Sequence, residues 1–172
     1  MFGGQTANGE ATGELYVLRF STKGVFWQNG STLCKGKGPE ARFDHTMERL
    51  RDNLVVFGGR NRTEFIPSVY LLELGTLTWN RIQLKGGEDG DAFKNVLERA
   101  EFSCAGSRYE DRIFIFGGIN KSFALTNEVL VLKFDQMIIN PLNDGIGGAS
   151  SRVVAENDQA VNLQFFNVAT SG

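Results

Sequence analysis

The 172-residue chain has one histidine, two cysteines and three prolines. A single imidazole, His45, has no acid or nucleophile spaced around it. It reads as a half-buried structural side chain, not a catalytic base. The cysteines, Cys34 and Cys104, stand 104 − 34 = 70 residues apart. That spacing is neither a zinc-ligand pattern nor a disulfide framework, so two reduced thiols are expected. No basic block occurs: 18 Lys and Arg face 20 Asp and Glu, and the formal net charge is −2. Nucleic acid is therefore not an expected partner. No apolar run approaches the roughly 18 residues of a membrane helix. The start, Met1-Phe2-Gly3-Gly4-Gln5-Thr6, lacks the charged-then-apolar layout of a signal peptide. Together these absences predict a cytoplasmic protein without membrane contact.

Weak motifs add no chemistry. Gly145-Ile146-Gly147-Gly148-Ala149-Ser150 faintly resembles a phosphate loop, but it follows no clear strand and opens no clear helix. Glu88-Asp89-Gly90-Asp91 lacks the remaining ligand spacing of a calcium loop. The sequons at Asn29, Asn61 and Asn120 read as accidental without a signal peptide. The expectation is no enzyme, no cofactor and no metal.

What the chain does have is glycine and aromatics: 21 Gly, 14 Phe, 3 Tyr and 2 Trp. Three Phe-Gly-Gly triplets begin at Phe2, Phe57 and Phe116. The first glycines are 58 − 3 = 55 and 117 − 58 = 59 residues apart. Each triplet is followed by a similar second strand: Glu14-Leu15-Tyr16-Val17-Leu18, Ser68-Val69-Tyr70-Leu71-Leu72 and Glu128-Val129-Leu130-Val131-Leu132. Self-similarity at a fixed period signals a repeat architecture. Leu54-Val55-Val56-Phe57 and Ile113-Phe114-Ile115-Phe116 read as strands buried on both faces. Two glycines after such a strand let the backbone take positive φ or approach a neighbour closely.

Two further positions recur. Trp27 follows Tyr16 much as Trp79 follows Tyr70, and an arginine precedes each innermost strand, Arg42 in Arg42-Phe43-Asp44-His45 and Arg99 in Arg99-Ala100-Glu101-Phe102. In this order the chain resembles the kelch repeat family over residues 1–134. The third repeat departs from it, with Leu130 in place of the tyrosine and no tryptophan.

The resemblance implies an all-β fold: a β-propeller segment of about three four-stranded antiparallel blades in an incomplete ring. The expected units are a partial blade at 1–30, a full blade at 42–84 and a partial blade at 99–134. Residues 135–172 are expected as a divergent tail or a degenerate further blade. In the middle blade the strands are placed at about Arg42–Arg49, Leu54–Gly59, Ser68–Leu74 and Thr78–Leu84. Tyr16, Tyr70, Trp27 and Trp79 are expected between blades. Propellers typically close with about 4–8 blades, so the expectation is a fragment of a longer propeller. The remaining blades would come from the same longer protein or from another chain. Some kelch propellers are copper oxidases, but one histidine excludes that chemistry.

In such a blade the b–c and d–a connections share one face. The b–c loops are expected at Gln5–Thr12, Arg60–Ile66 and Ile119–Thr126, and the d–a loops at Gly30–Ala41 and Lys85–Glu98. Phe93, Val96 and Leu97 fall at helical spacing after Asp91, which predicts a short helix over the blade edge. The long loops suit a recognition scaffold. The resemblance implies a protein or peptide partner, with an acidic peptide as the expected ligand and Arg42, Arg99, Arg60 and Arg62 as contacts. The alternative is a regulatory propeller of a larger enzyme, such as a kelch-repeat serine/threonine phosphatase.

Overall fold

The computed structural model describes residues 1–82, 97–107 and 112–133. The middle sheet is complete and antiparallel: β3 (Thr46–Leu50), β4 (Asn53–Phe57), β5 (Val69–Glu73) and β6 (Thr78–Ile82) lie side by side in chain order. On one side of it stands the hairpin of β1 (Tyr16–Ser21) and β2 (Gly24–Asn29), with Phe2 bridged to Leu15 as a third rung. On the other side, β8 (Ser103–Gly106), β9 (Arg112–Phe116) and β11 (Val129–Lys133) form a three-stranded sheet with β9 in the centre. A small ladder joins β7 (Arg99–Ala100) to β10 (Ile119–Asn120). The described strands pair antiparallel throughout, as the expected all-β fold class requires.

The apolar residues of β4 explain why blades must stack. Val55, Val56 and Phe57 are at most 1 % exposed, although successive side chains point to opposite faces. Val55 and Phe57, with Val69 and Leu71, pack against Ile113, Ile115, Leu130 and Leu132 of the third blade. Val56, Tyr70, Leu72 and Trp79 pack against Phe2 and Leu15 of the first. Full burial of each such side chain contributes about 1.5–3 kcal/mol, so the two interfaces outweigh any single hydrogen bond. Tyr70 and Trp79 thus lie between blades as expected. Trp27 does not. It is 56 % exposed, Leu18 and Phe20 beside it are exposed too, and Tyr16 is half-buried. That face of the hairpin meets no described sheet.

One boundary differs clearly from expectation. The innermost strand of the middle blade begins at Thr46, not Arg42, because Asp44 takes φ 56° and turns the chain. Glu101, at the same place in the third blade, takes φ 56° as well. Phe43 then bridges Arg60, as β7 bridges β10, so the segment holding each arginine pairs with a b–c loop. The expected helix falls mostly outside the described residues; Leu97, from its apolar side, is buried between the second and third blades. The outer strand of the third blade and residues 135–172 lie outside the described residues.

The glycine doublets lock blade to blade. Gly58 and Gly59 have φ 65° and 81°. The Gly59 N–H donates to the Arg99 carbonyl at 2.8 Å, as Gly4 N–H does to the Arg42 carbonyl at 2.8 Å. A Cβ on Gly58 would stand 2.7 Å from the Phe102 ring and 2.9 Å from the Arg99 carbonyl oxygen, whereas one on Gly117 would meet only Thr126 O at 3.3 Å. Both substitutions to Ala incur left-handed strain of about 1–2 kcal/mol, but only Gly58→Ala must also push a neighbouring blade. Urea denaturation should show Gly58→Ala losing clearly more stability than Gly117→Ala. Equal losses would show that backbone strain alone matters.

Candidate functional site

Short turns connect the strands at one end of the blades, and long loops at the other. On the long-loop face the b–c loop of one blade clasps the start of the next: Arg42 N–H donates to Thr12 O at 3.2 Å while Gly4 N–H takes the Arg42 carbonyl. The loops are internally tied. Asn61 and Asn120 each accept backbone N–H groups of their own loops through their side-chain oxygens, as Asn does in turns.

Arg42 and Arg99 root these loops. Sequence reasoning set both near the mouth of a partner face, yet they are only 0 % and 4 % exposed. Arg42 directs Nη1 to the carbonyls of Gly58 and Ser68 (3.1 Å each), Nη2 to Ser68 Oγ (2.6 Å) and Glu40 Oε2 (2.7 Å), and Nε to Glu40 O (3.1 Å). All of its donors are used inside the blade. Arg99 repeats the arrangement, with Nη1 to Gly117 O and Thr126 Oγ1 (2.9 Å each) and Nη2 to Glu128 Oε2 (2.7 Å). The planar guanidinium fork suits this task, since it meets several acceptors from one position.

The charges within this network shift one another. Burial pushes the Arg42 guanidinium down from its ordinary value, against the pull of Glu40. Burial alone would raise Glu40, but the Ser68 hydroxyl, its own backbone, Arg42 and Arg81 together hold it below the usual range. His45 packs edge-on to Phe2, with ring centroids 5.5 Å apart. Burial and the nearby Arg42 charge lower it to about 4, against a hydrogen bond to the Phe2 backbone and the charge of Asp44. Burial pushes the Cys104 thiol up to about 12 and raises Cys34 as well. The two cysteines are unpaired and pack at different blade interfaces. Neither thiol is set up as a nucleophile. Among the described residues no group of three or more His, Cys, Asp or Glu side chains could hold a metal.

Arg60 and Arg62 lie on the loop face itself. Arg60 donates to Asp44 Oδ2 (3.0 Å) and Glu101 Oε1 (2.8 Å), and sits over the rings of Phe43 and Phe123 at 5.4 and 6.0 Å. Arg62, 58 % exposed along its side chain, pairs with Glu10 across the two b–c loops. Beside them are residues that sequence reasoning missed. Phe123, 66 % exposed, meets Phe65 edge-on at 5.4 Å, and Leu125 is 87 % exposed. The available signal was two large apolar residues inside Lys121-Ser122-Phe123-Ala124-Leu125, a loop of otherwise small or polar residues. Phe123 also holds φ 59°, a conformation uncommon for aromatic residues that tends to cluster at functional sites.

Two outcomes test the network. Arg42→Ala leaves the Gly58 and Ser68 carbonyls without their donor, and should lower stability by about 3 kcal/mol or more in urea. Arg42→Lys should recover only part, because an ammonium cannot fork. Full recovery by Lys would reduce the arginine's role to charge. For pH, the unfolded His45 holds a proton near its ordinary 6.5 that the folded one releases until about 4. The corresponding stability is complete above about pH 6.5 and is lost as pH falls toward 4. Glu40, held low, adds its own loss below the ordinary carboxylate range. His45→Phe, which copies Phe102 at the equivalent place, should flatten the melting profile between pH 6.5 and 4. An unchanged slope would remove His45 from the acid response.

The family model described as the KLHDC2/KLHL20/DRC7 Kelch-repeats domain matches residues 1–138. The chain is 27 % identical over 140 residues to the dynein alpha chain of the flagellar outer arm of Chlamydomonas reinhardtii, which covers 77 % of this chain and 3 % of that protein. It is 28 % identical over 119 residues to a probable serine/threonine-protein kinase of Dictyostelium discoideum, covering 69 % of this chain and 8 % of that one. It is 23 % identical over 114 residues to acyl-CoA-binding domain-containing protein 4 of Arabidopsis thaliana, covering 64 % and 17 %. The chain spans less than a fifth of each of these relatives. The repeated arginine roots, the glycine doublets and a family match over residues 1–138 of 172 lead to one conclusion: the chain belongs to the kelch-repeat family, whose domains generally mediate protein–protein interaction.

Proposed function

We propose that this chain binds a protein partner through the face where the b–c and d–a loops meet. The observation that carries the reading is a pair of clefts on that face that share the 61–65 segment as a wall. One cleft of about 490 Å³ is lined by Glu10, Glu40, Arg62, Phe65 and Arg81 among others. A second, of about 320 Å³, shares the 61–65 segment and reaches Lys121 and Phe123. Phe123 and Leu125 offer apolar anchors next to an Arg60 held in place by two carboxylates and two rings. Interfaces draw much of their energy from such aromatic and arginine groups.

In this reading Arg60 and Arg62 touch the partner, while Arg42 and Arg99 position the loops from below. The acidic character of the ligand is confined to a carboxylate meeting Arg62 in competition with Glu10. Glu10, Glu40 and Glu64 line the same cleft as Arg62 and Arg81, so a wholly acidic peptide would meet repulsion. Placement in the cytoplasm belongs to the same proposal, since two unpaired cysteines suit a reducing compartment. A second reading, a regulatory propeller within a larger enzyme, draws support from the kinase of which this chain matches 8 %.

A photo-crosslinking side chain placed at position 123 tests the site, with position 26 on the β1–β2 hairpin as the exposed control. A partner adduct is expected from position 123 and not from 26. Its yield should fall several-fold with Leu125→Ser or Arg62→Ala at an unchanged melting midpoint. Equal adducts from both positions would dismiss the loop face.

A further inference from the structure

Most charges that line the two loop-face clefts are already committed to one another. Arg62 pairs with Glu10 across the b–c loops. Glu40 holds the buried Arg42 at 2.7 Å. In the second cleft Arg60 is shared by Asp44 and Glu101, and Lys121 pairs with Glu98 at 3.0 Å. Each of these groups takes a ligand charge only in competition with a partner in place.

Two lining residues differ. Arg81 and Glu64 are exposed, and both line the larger cleft. Among the described residues neither side chain enters a hydrogen bond or an ion pair. The charge of Arg81 reaches Glu40, but the oxygens of Glu40 already accept from Arg42, Ser68 and Tyr70. Both residues stand on fixed backbone. Arg81 lies in β6, opposite Tyr70 of β5. Glu64 closes the turn that Asn61 organises: its N–H donates to Asn61 Oδ1 at 2.9 Å, and its carbonyl accepts the Asn61 N–H at 3.0 Å. The remaining lining includes the apolar Ala11, Ala41, Phe65 and Pro67.

One uncommitted cation and one uncommitted anion thus share a cleft of about 490 Å³. A ligand of a single sign gains at one of them and is repelled at the other. A ligand that carries both signs is complementary to the pair, and such complementarity governs specificity more than raw affinity.

We propose that the partner enters this cleft with an extended segment that carries an acidic and a basic side chain: Arg81 receives the carboxylate and Glu64 the ammonium or guanidinium. An apolar side chain of the same segment packs on Phe65 and Pro67. This deepens the loop-face reading and rests on it. Arg62 keeps its contact with the partner, and Arg81 is the arginine that gives up no described bond to make one.

A displayed library of random dodecapeptides, selected on the full 172-residue chain, is the probe. Enriched peptides should hold at least one Asp or Glu and at least one Lys or Arg. In the tightest of them, changing the acidic side chain to its amide should weaken binding about fivefold, and should cost nothing further once the chain carries Arg81→Gln. Changing the basic residue to methionine should be coupled in the same way to Glu64→Gln. Such coupling identifies the pairs in contact. Both chain variants should keep the melting midpoint, because both side chains are exposed. A selection without binders, or peptides enriched in one sign alone, would overturn the inference. Peptides that lose binding with Leu125→Ser or Arg62→Ala but show no coupling to Arg81 and Glu64 would overturn it and leave the loop-face reading standing. Peptides indifferent to all four substitutions would overturn both.

Discussion

A guanidinium buried at the root of the long loops of blades two and three is the interaction on which the rest of this structure depends. Arg42 holds the turn after one strand, the start of the next and the connection from the preceding blade within a single plane of hydrogen bonds. A buried charge is tolerated only when its donors are met and a carboxylate lies close. Glu40, half exposed, provides that carboxylate without being fully desolvated. The network therefore fixes where the loop begins while leaving its tip free to vary.

From that constraint the blade-to-blade geometry follows. In blades two and three the glycine doublet gives its first carbonyl to the arginine, and in blades one and two its second N–H donates to the backbone of the next blade. Side chains could not occupy that crossing, as the approach of a Gly58 Cβ to within 2.7 Å of the Phe102 ring and 2.9 Å of Arg99 O makes plain. Once the crossing is set, β4 lies with apolar residues on both faces, and only neighbouring sheets can cover them. Hydrophobic burial supplies most of the stabilisation, and the polar crossing decides the register in which it occurs.

The loop face inherits its rigidity from below. Arg60 is held by Asp44 of its own blade and Glu101 of the next, so the rim charge is shared between blades. A scaffold of this kind presents fixed side chains to a partner and loses little conformational entropy on binding. The exposed Phe123 and Leu125 stand on a loop tied by Asn120, so their position too is set by short-range hydrogen bonds.

Much of this was legible in the amino-acid order. Recurring Phe-Gly-Gly, the Glu/Ser-x-Tyr/Leu strand and the unbroken apolar run Leu54-Val55-Val56-Phe57 determine strands, their order and their stacking, because local propensity and apolar pattern act over a few residues. The left-handed turns at Asp44 and Glu101 were not legible, since neither residue type demands positive φ. Nor was the direction of the arginines. A sequence shows a recurrent charge, but only the tertiary structure decides whether that charge faces solvent or the carbonyls of Gly58 and Ser68, groups that lie 16 and 26 residues along the chain. The same holds for Trp27 and Trp79. They occupy one place in the repeat, and only the presence of a neighbouring sheet leaves the first exposed and the second buried, because burial is a property of what packs against a side chain and not of the side chain itself.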